Sequence, residues 1–269
     1  MEYYSPSSIK KFFSNREAFY LDYIVKLPRL PQSKPMAVGS AFDAFIKSYI
    51  SKELLWQGHP AYCTFTDLFE SSVESHNRDF ALEAGKVVFE HYLIDGFSRL
   101  REEMSLCDLD TVIMEGRCSA KFDDITLLGY PDLYYKIPEG VVILDWKVNG
   151  YCGKTLTSPK KGHLKHKKYV KGECLSVCNA DWALQLLIYG WILGGRDASI
   201  HAYIDQITGP ASRLRTFHFR NRISKEYGDI LWEKIQYMHE CIVNDDIIAN
   251  SDDLDALVGV DEWLLDAIR

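Results

Sequence analysis

The stretch GYPDLYYKIPEGVVILDWKV, residues 129–148, reads as two strands joined by a turn at Pro138-Glu139-Gly140. Its second half is apolar on both faces, as a strand at the centre of a sheet should be. Asp132, Asp145 and Lys147 interrupt that pattern, and charges in such a setting are costly unless they pair or bind something. Side chains two apart on a strand share a face, so Asp145 and Lys147 point the same way. A turn centred near Glu139 pairs position 132 within a residue of 145 or 146, which makes the two carboxylates converge. Unpaired carboxylates that close repel, and one must hold a proton unless a cation intervenes. Carboxylate oxygens are the ligands that Mg²⁺ and Mn²⁺ prefer. The plainer reading is an Asp–Lys pair on a solvated sheet edge. Ile143, Leu144 and Val148 around the charges favour a cleft instead.

Outward from this stretch, TVIMEGRCSAKF and ITLLGYPDLYYKI are rich in β-branched and aromatic residues, and with VVILDWKV they predict a three-stranded antiparallel meander over about 111–148. Ser5-Pro6 offers an N-cap and a proline for the first helical turn. Ile9, Phe12, Phe13, Phe19, Tyr23 and Ile24 supply the buried side of one helix or two short ones there. Residues 26–35, with Pro28, Pro31 and Pro35, read as an irregular connection. Helices follow over about 40–50 and through most of 64–105, the latter with Phe69, Val73, Phe80 and Val87 as core positions. Further on come a strong helix over about 181–194, strands at 199–207 and 212–220, and a helix over about 224–244. The expectation is one α/β domain spanning residues 1–269, with a helical part to about 105, a sheet with helices to about 245, and an acidic tail over 246–269.

Apolar residues at 47% and charged residues at 26% are ordinary for a soluble globular protein. The start, MEYYSPSS, lacks the basic and apolar run of a secretory signal, and WALQLLIYGWILGG is too short to span a bilayer, so no membrane role is expected. Seven cysteines without a regular framework suit a reduced, cytoplasmic protein. The net charge of −7 hides an asymmetry. Between Gly150 and Gly172 lie Lys154, Lys160, Lys161, Lys165, Lys167, Lys168 and Lys171 with no acid, so the rest of the chain carries twice the net negative charge of the whole. Such a tract is either a footprint for a polyanion or a solvated loop. His163 and His166 with Cys174 and Cys178 have ligand types suited to zinc, at unorthodox spacing; ordinary loop histidines and helix-start cysteines are the alternative.

Pro131-Asp132, followed after twelve residues by Asp145-Trp146-Lys147, resembles the PD-(D/E)XK nuclease motif. Further marks in chain order resemble the RecB-like exonuclease branch. Gly39-Ser40-Ala41-Phe42-Asp43 is similar to its early helix motif, with Asp43 where the branch usually has histidine. Glu115 falls on the first strand of the predicted meander, where the branch often has an acid. Gln185 and Tyr189 match its Q-x-x-x-Y helix, and SPSSIKKFFSNREAFYLDY resembles its usual start. The likeness spans about residues 5–192.

What the resemblance implies is a restriction-endonuclease-like core, a central mixed sheet flanked by helices, with helical additions at both termini. It further implies Mg²⁺- or Mn²⁺-dependent hydrolysis of DNA phosphodiesters, with exonuclease or end-processing action on single strands or duplex ends. Asp43, Asp132, Asp145 and the main-chain carbonyl of Trp146 would hold the ions, with Glu115 as a further acid, and Gln185 and Tyr189 would serve the site. Lys147 would orient the attacking water or stabilise charge on the phosphate. The lysine tract would meet the DNA backbone, and a recombination or repair protein is a conceivable partner. With no cysteine near Asn15 and only Cys241 after Tyr189, an iron–sulfur cluster of the kind some RecB-like nucleases carry is not expected. Two rivals stand: a nucleic-acid-binding subunit that keeps the fold without cleavage, and a protein whose acids hold a structural cation.

Overall fold

The structure, a computed structural model, describes residues 1–149, 180–209 and 211–247. Its strands are β1 (Asp108–Ile113), β2 (Cys118–Phe122), β3 (Ile125–Gly129), β4 (Leu133–Ile137), β5 (Gly140–Asn149), β6 (Ile200–Thr208) and β7 (Arg215–Arg222). Its α-helices are α1 (Pro6–Ser14), α2 (Arg16–Phe19), α3 (Lys34–Leu54), α4 (Phe65–Ser72), α5 (Arg78–Asp95), α6 (Phe97–Met104), α7 (Ala180–Gly194) and α8 (Lys225–Val243).

Five strands form a mixed sheet in the order β1-β4-β5-β6-β7, with β5–β6 parallel and the other pairs antiparallel, while β2 and β3 form a separate hairpin. The restriction-endonuclease-like layout expected from the sequence is present, and β5 lies in the middle of the sheet.

The predicted single meander is not. Its first two segments each break in two, while the third stays whole as β5. Glu115 and Gly116 adopt positive φ of 54° and 113°, turning the chain between β1 and β2. Glu115 therefore sits in the turn after β1 and not on a strand. The second break falls at Tyr130-Pro131, where proline has no N–H to give a ladder. What read as one long strand is β3 in the hairpin and β4 in the main sheet.

Alternation along β5 splits the interior in two. Val141 and Ile143 pack with Ala183, Leu187 and Ile188 of α7 and with residues of α1 and α8. Val142, Leu144 and Trp146 pack with Val38, Phe42 and Ile46 of α3 and with α5 and α6. The central strand is thus clamped between α3 on one face and α7 on the other.

The helices largely follow expectation, with corrections at their ends. Ser5 caps α1: its hydroxyl accepts from the Ser8 N–H at 3.2 Å, and the Ser8 hydroxyl in turn receives the Ser5 N–H at 2.9 Å. The helix expected from residue 40 begins at Lys34, because Pro35 falls in the first turn, where a missing N–H costs nothing. On α5 the core position is Val88, fully buried, and not Val87, which is 38% exposed.

Unforeseen was a buried polar knot between the sheet and α5. Asp205 on β6 accepts from the Tyr92 hydroxyl, from Arg220 Nη1 at 2.8 Å and pairs with His218 Nδ1 at 2.7 Å. Arg220 also grips Glu103 through two bonds, of 2.7 and 2.9 Å. Burial pushes against ionisation of Asp205, but the His218 bond and the Arg220 charge outweigh it and hold the carboxyl below its usual range.

Candidate active site

β4 begins at Leu133, opposite Leu144, and the same register carries Asp132 opposite Asp145. No ladder partner from β4 reaches Trp146; the Asp132 carboxylate takes that place, accepting the Trp146 N–H at 3.1 Å through Oδ2. Within a strand a residue's N–H and C=O face the same neighbour, so the Trp146 carbonyl lies on this open edge too. The convergence expected from the sequence is therefore present, just beyond the end of β4.

Asp145 is 2% exposed. Its Oδ2 is in close ionic contact with Lys147 Nζ, on the same face two residues on. Gln185, from α7, joins the two: its Nε2 donates to Asp145 Oδ1 at 3.1 Å, and its Oε1 accepts from Lys147 Nζ at 3.0 Å. The amide can lie only this way round, with oxygen towards the ammonium and NH₂ towards the carboxylate. Gln185 Nε2 is also 3.1 Å from the Tyr189 hydroxyl, one helical turn away. Tyr189 is 7% exposed, and one edge of its ring lies so close to Gly129 that a Cβ there would come within 2.5 Å of it. Both helix residues thus reach the site, Tyr189 buried and Gln185 half-buried.

From the opposite face comes a residue that the sequence reading missed. Lys47, one turn after Asp43 on α3, is completely buried. Its ammonium lies 3.1 Å from Asp132 Oδ1, 3.9 Å from Asp43 Oδ2, and in very short contact with Glu115 Oε1. Asp43, Glu115 and Asp132 are thus brought together, but around a lysine. A signal for it existed: between Pro35 and Ser51 only Asp43 and Lys47 carry charge, on a helix that buries most of its circumference.

The electrostatics follow from this crowding. Burial pushes the Asp145 carboxyl up to about 6; Lys147 pulls it down and Asp132 adds to the rise. Burial also raises Asp43 well above the usual carboxylate range, with Lys47 opposing and Asp132, Glu115 and Asp145 reinforcing. For Lys47 and Lys147 burial disfavours the charge, yet the surrounding carboxylates win and both ammonium groups are held above their ordinary pKa.

Among the described residues no three His, Cys, Asp or Glu side chains form a ready-made metal cage. The donor set nevertheless fits a hard divalent ion. Mg²⁺ takes one or two carboxylates and keeps several waters, and each oxygen of Asp132 and Asp145 retains a second lone pair beside its present hydrogen bond. The lysines Lys154, Lys160, Lys161, Lys165, Lys167, Lys168 and Lys171, and the His163, His166, Cys174 and Cys178 group, lie outside the described residues. No helix among the described residues is long and apolar enough to cross a membrane.

The family model of the PD-(D/E)XK nuclease superfamily matches residues 3–199. Curated proteins gave no significant match. Among solved structures, the crystal structure of SSO0001 is similar over 86% of this chain and 84% of its own, at 9% identity and a TM-score of 0.28, too low a likeness to bear on function.

Proposed function

Because the chain belongs to the PD-(D/E)XK nuclease superfamily, we propose that it is a divalent-metal-dependent nuclease that hydrolyses DNA phosphodiester bonds, acting at ends or on single strands. The observation that carries this reading is the meeting of Asp132, Asp145 and Lys147 at one end of the sheet. The ties from Gln185 to Asp145, Lys147 and Tyr189 support the RecB-like branch in particular.

In this reading Asp132, Asp145 and the Trp146 carbonyl hold Mg²⁺ or Mn²⁺, with Asp43 and Glu115 in the same cluster. A bound ion supplies Lewis-acid polarisation of the phosphate and a lower pKa for the attacking water. Lys147 places an ammonium beside Asp145, where it orients that water or meets charge growing on the phosphate. Gln185 holds Lys147 and Asp145 in mutual register, and Tyr189 holds Gln185. The lysine tract from Lys154 to Lys171 supplies positive charge for the DNA backbone.

Labelled single- and double-stranded DNA, incubated with Mg²⁺, Mn²⁺ or EDTA, tests the reading. Cleavage should need a divalent ion and be lost in Asp132→Ala, Asp145→Ala and Lys147→Ala chains that keep their fold. Turnover in EDTA, or near-normal activity of Asp145→Ala, would overturn it. One observation favours a rival, a binding subunit without cleavage: the Lys47 ammonium already sits against Asp132. DNA binding with no product in either ion would establish that rival.

A further inference from the structure

Among the described residues Lys47 is the only buried lysine, and most of its own helix around it is apolar. An ammonium has three N–H donors and no acceptor. Around Lys47 stand three carboxylates, from Asp43 on the same helix, Glu115 in the turn after β1, and Asp132 at the head of β4. Glu115 and Asp132 each accept one of those hydrogen bonds, and Asp43 stands at ion-pair distance, 3.9 Å. Three acids converging on one enclosed point is the setting in which a protein would otherwise hold a divalent cation by its oxygens. Here the cation is covalently part of the chain.

The charge balance points the same way. Asp43, Glu115, Asp132 and Asp145, fully ionised, face two ammonium groups, Lys47 and Lys147. One divalent ion closes the remaining deficit. A second would leave the cluster with an excess of two positive charges, or would have to expel Lys47 from its buried position among the three carboxylates. The two oxygens of Asp132 also divide their work. Asp132 Oδ1 faces Lys47, whereas its Oδ2 faces the Trp146 N–H and the open strand edge beside Asp145.

We infer that Lys47 is a resident cation occupying the place of a second metal ion, so that the site takes a single Mg²⁺ or Mn²⁺ at Asp132 and Asp145 while Asp43 and Glu115 serve the lysine. This inference rests on the metal-dependent reading above. It also explains how aspartate can stand at position 43: a carboxylate pairs with an ammonium, as an imidazole would not.

Titrating Mn²⁺ into the full chain, with free ion followed by electron paramagnetic resonance and heat by calorimetry, tests it without any cleavage assay. The wild type should bind one Mn²⁺ per chain. Lys47→Met, close in size but uncharged, should bind two. If Lys47→Met is unfolded in EDTA, Mn²⁺ should restore a cooperative melt with two ions bound, since the metal then replaces the lost ammonium. Lys47→Arg keeps the charge and should remain at one. Two comparable ions in the wild type, one ion in Lys47→Met, or a Lys47→Met chain that Mn²⁺ cannot refold would each overturn the inference. A wild type that takes up no divalent ion would instead sink the metal-dependent reading itself.

Discussion

Gly129→Ala is a small change with a calculable reach into the site. A Cβ at this position would stand 2.5 Å from Cδ1 and Cε1 of Tyr189 and 3.2 Å from Cδ1 of Ile192. Carbon atoms in good contact sit about 3.5–4.0 Å apart, so the ring must retreat by roughly 1 Å. It has little room, being 7% exposed in a core shared with Leu186 and Ile188. Overpacking of this kind costs about 1–3 kcal/mol. The intrinsic effect of replacing glycine by alanine has the opposite sign, because the unfolded chain loses freedom, so any net loss belongs to the clash. Urea unfolding should register it directly, and the melting temperature should drop by about 2–4 °C for each kcal/mol in a chain of this size. The displacement should also travel. Tyr189 holds Gln185, which holds Asp145 and Lys147, and a misplacement of about 1 Å at a reacting centre can slow turnover about 10²-fold. Tyr189→Leu added to Gly129→Ala should relieve the clash, giving a coupling of about 1–2 kcal/mol between the two positions. A Gly129→Ala chain as stable and as active as the wild type would refute the packing described for Tyr189.

Other expectations can be measured on the same protein. Asp145 has its carboxyl pushed up to about 6, above its unfolded value, so protonation favours the folded metal-free chain: its contribution is present at low pH and lost as pH rises through about 6. Comparing wild type with Asp145→Asn in EDTA should expose that slope, while Mn²⁺ affinity should run the other way and fall below about pH 6. Asp205→Ala should destabilise the fold by about 3 kcal/mol, by leaving the buried Tyr92 hydroxyl without its acceptor and the half-buried His218 and Arg220 without their carboxylate, yet leave the Mn²⁺ count unchanged. Replacing Lys160, Lys161, Lys165, Lys167 and Lys168 with uncharged residues should flatten the salt dependence of duplex binding by up to about 4 units of log–log slope. An unchanged slope would make that tract a bystander.

What the sequence disclosed was whatever depends on period and spacing. Ile143, Leu144 and Val148 identified the central strand, and the turn at Glu139 was enough to bring Asp132 opposite Asp145. Gln185 and Tyr189 were legible as neighbours on a helix, but the burial of Tyr189 was not, since it depends on Gly129 arriving beneath the ring. Lys47 was hidden for a related reason. A lysine on the flank of an apolar helix reads as solvated until two acids distant in the chain, Glu115 and Asp132, fold over it. The Asp205 knot joins four elements and leaves no local period at all. The broken meander shows the limit of strand propensity, because Tyr130-Pro131 interrupts a run whose composition is β-like throughout.

The parallel pairing of β5 with β6 sets the order in which the protein can come into being. β4 and β5 meet across a two-residue turn, but Val141 cannot meet Ile200 until the intervening chain has been made and closed into a long loop. Parallel pairs of this kind form late and slowly compared with hairpins. On a ribosome, Asp132 and Asp145 should therefore stand side by side well before α7 brings Gln185 to them and before β6 and β7 complete the sheet. During that interval Lys47 and Lys147 can pair with the acids, but Gln185 is not yet there to tie Asp145 to Lys147. The cleavage proposed above should accordingly appear only after most of the chain has left the exit tunnel, with a lag between the appearance of full-length chain and the appearance of product in cell-free synthesis.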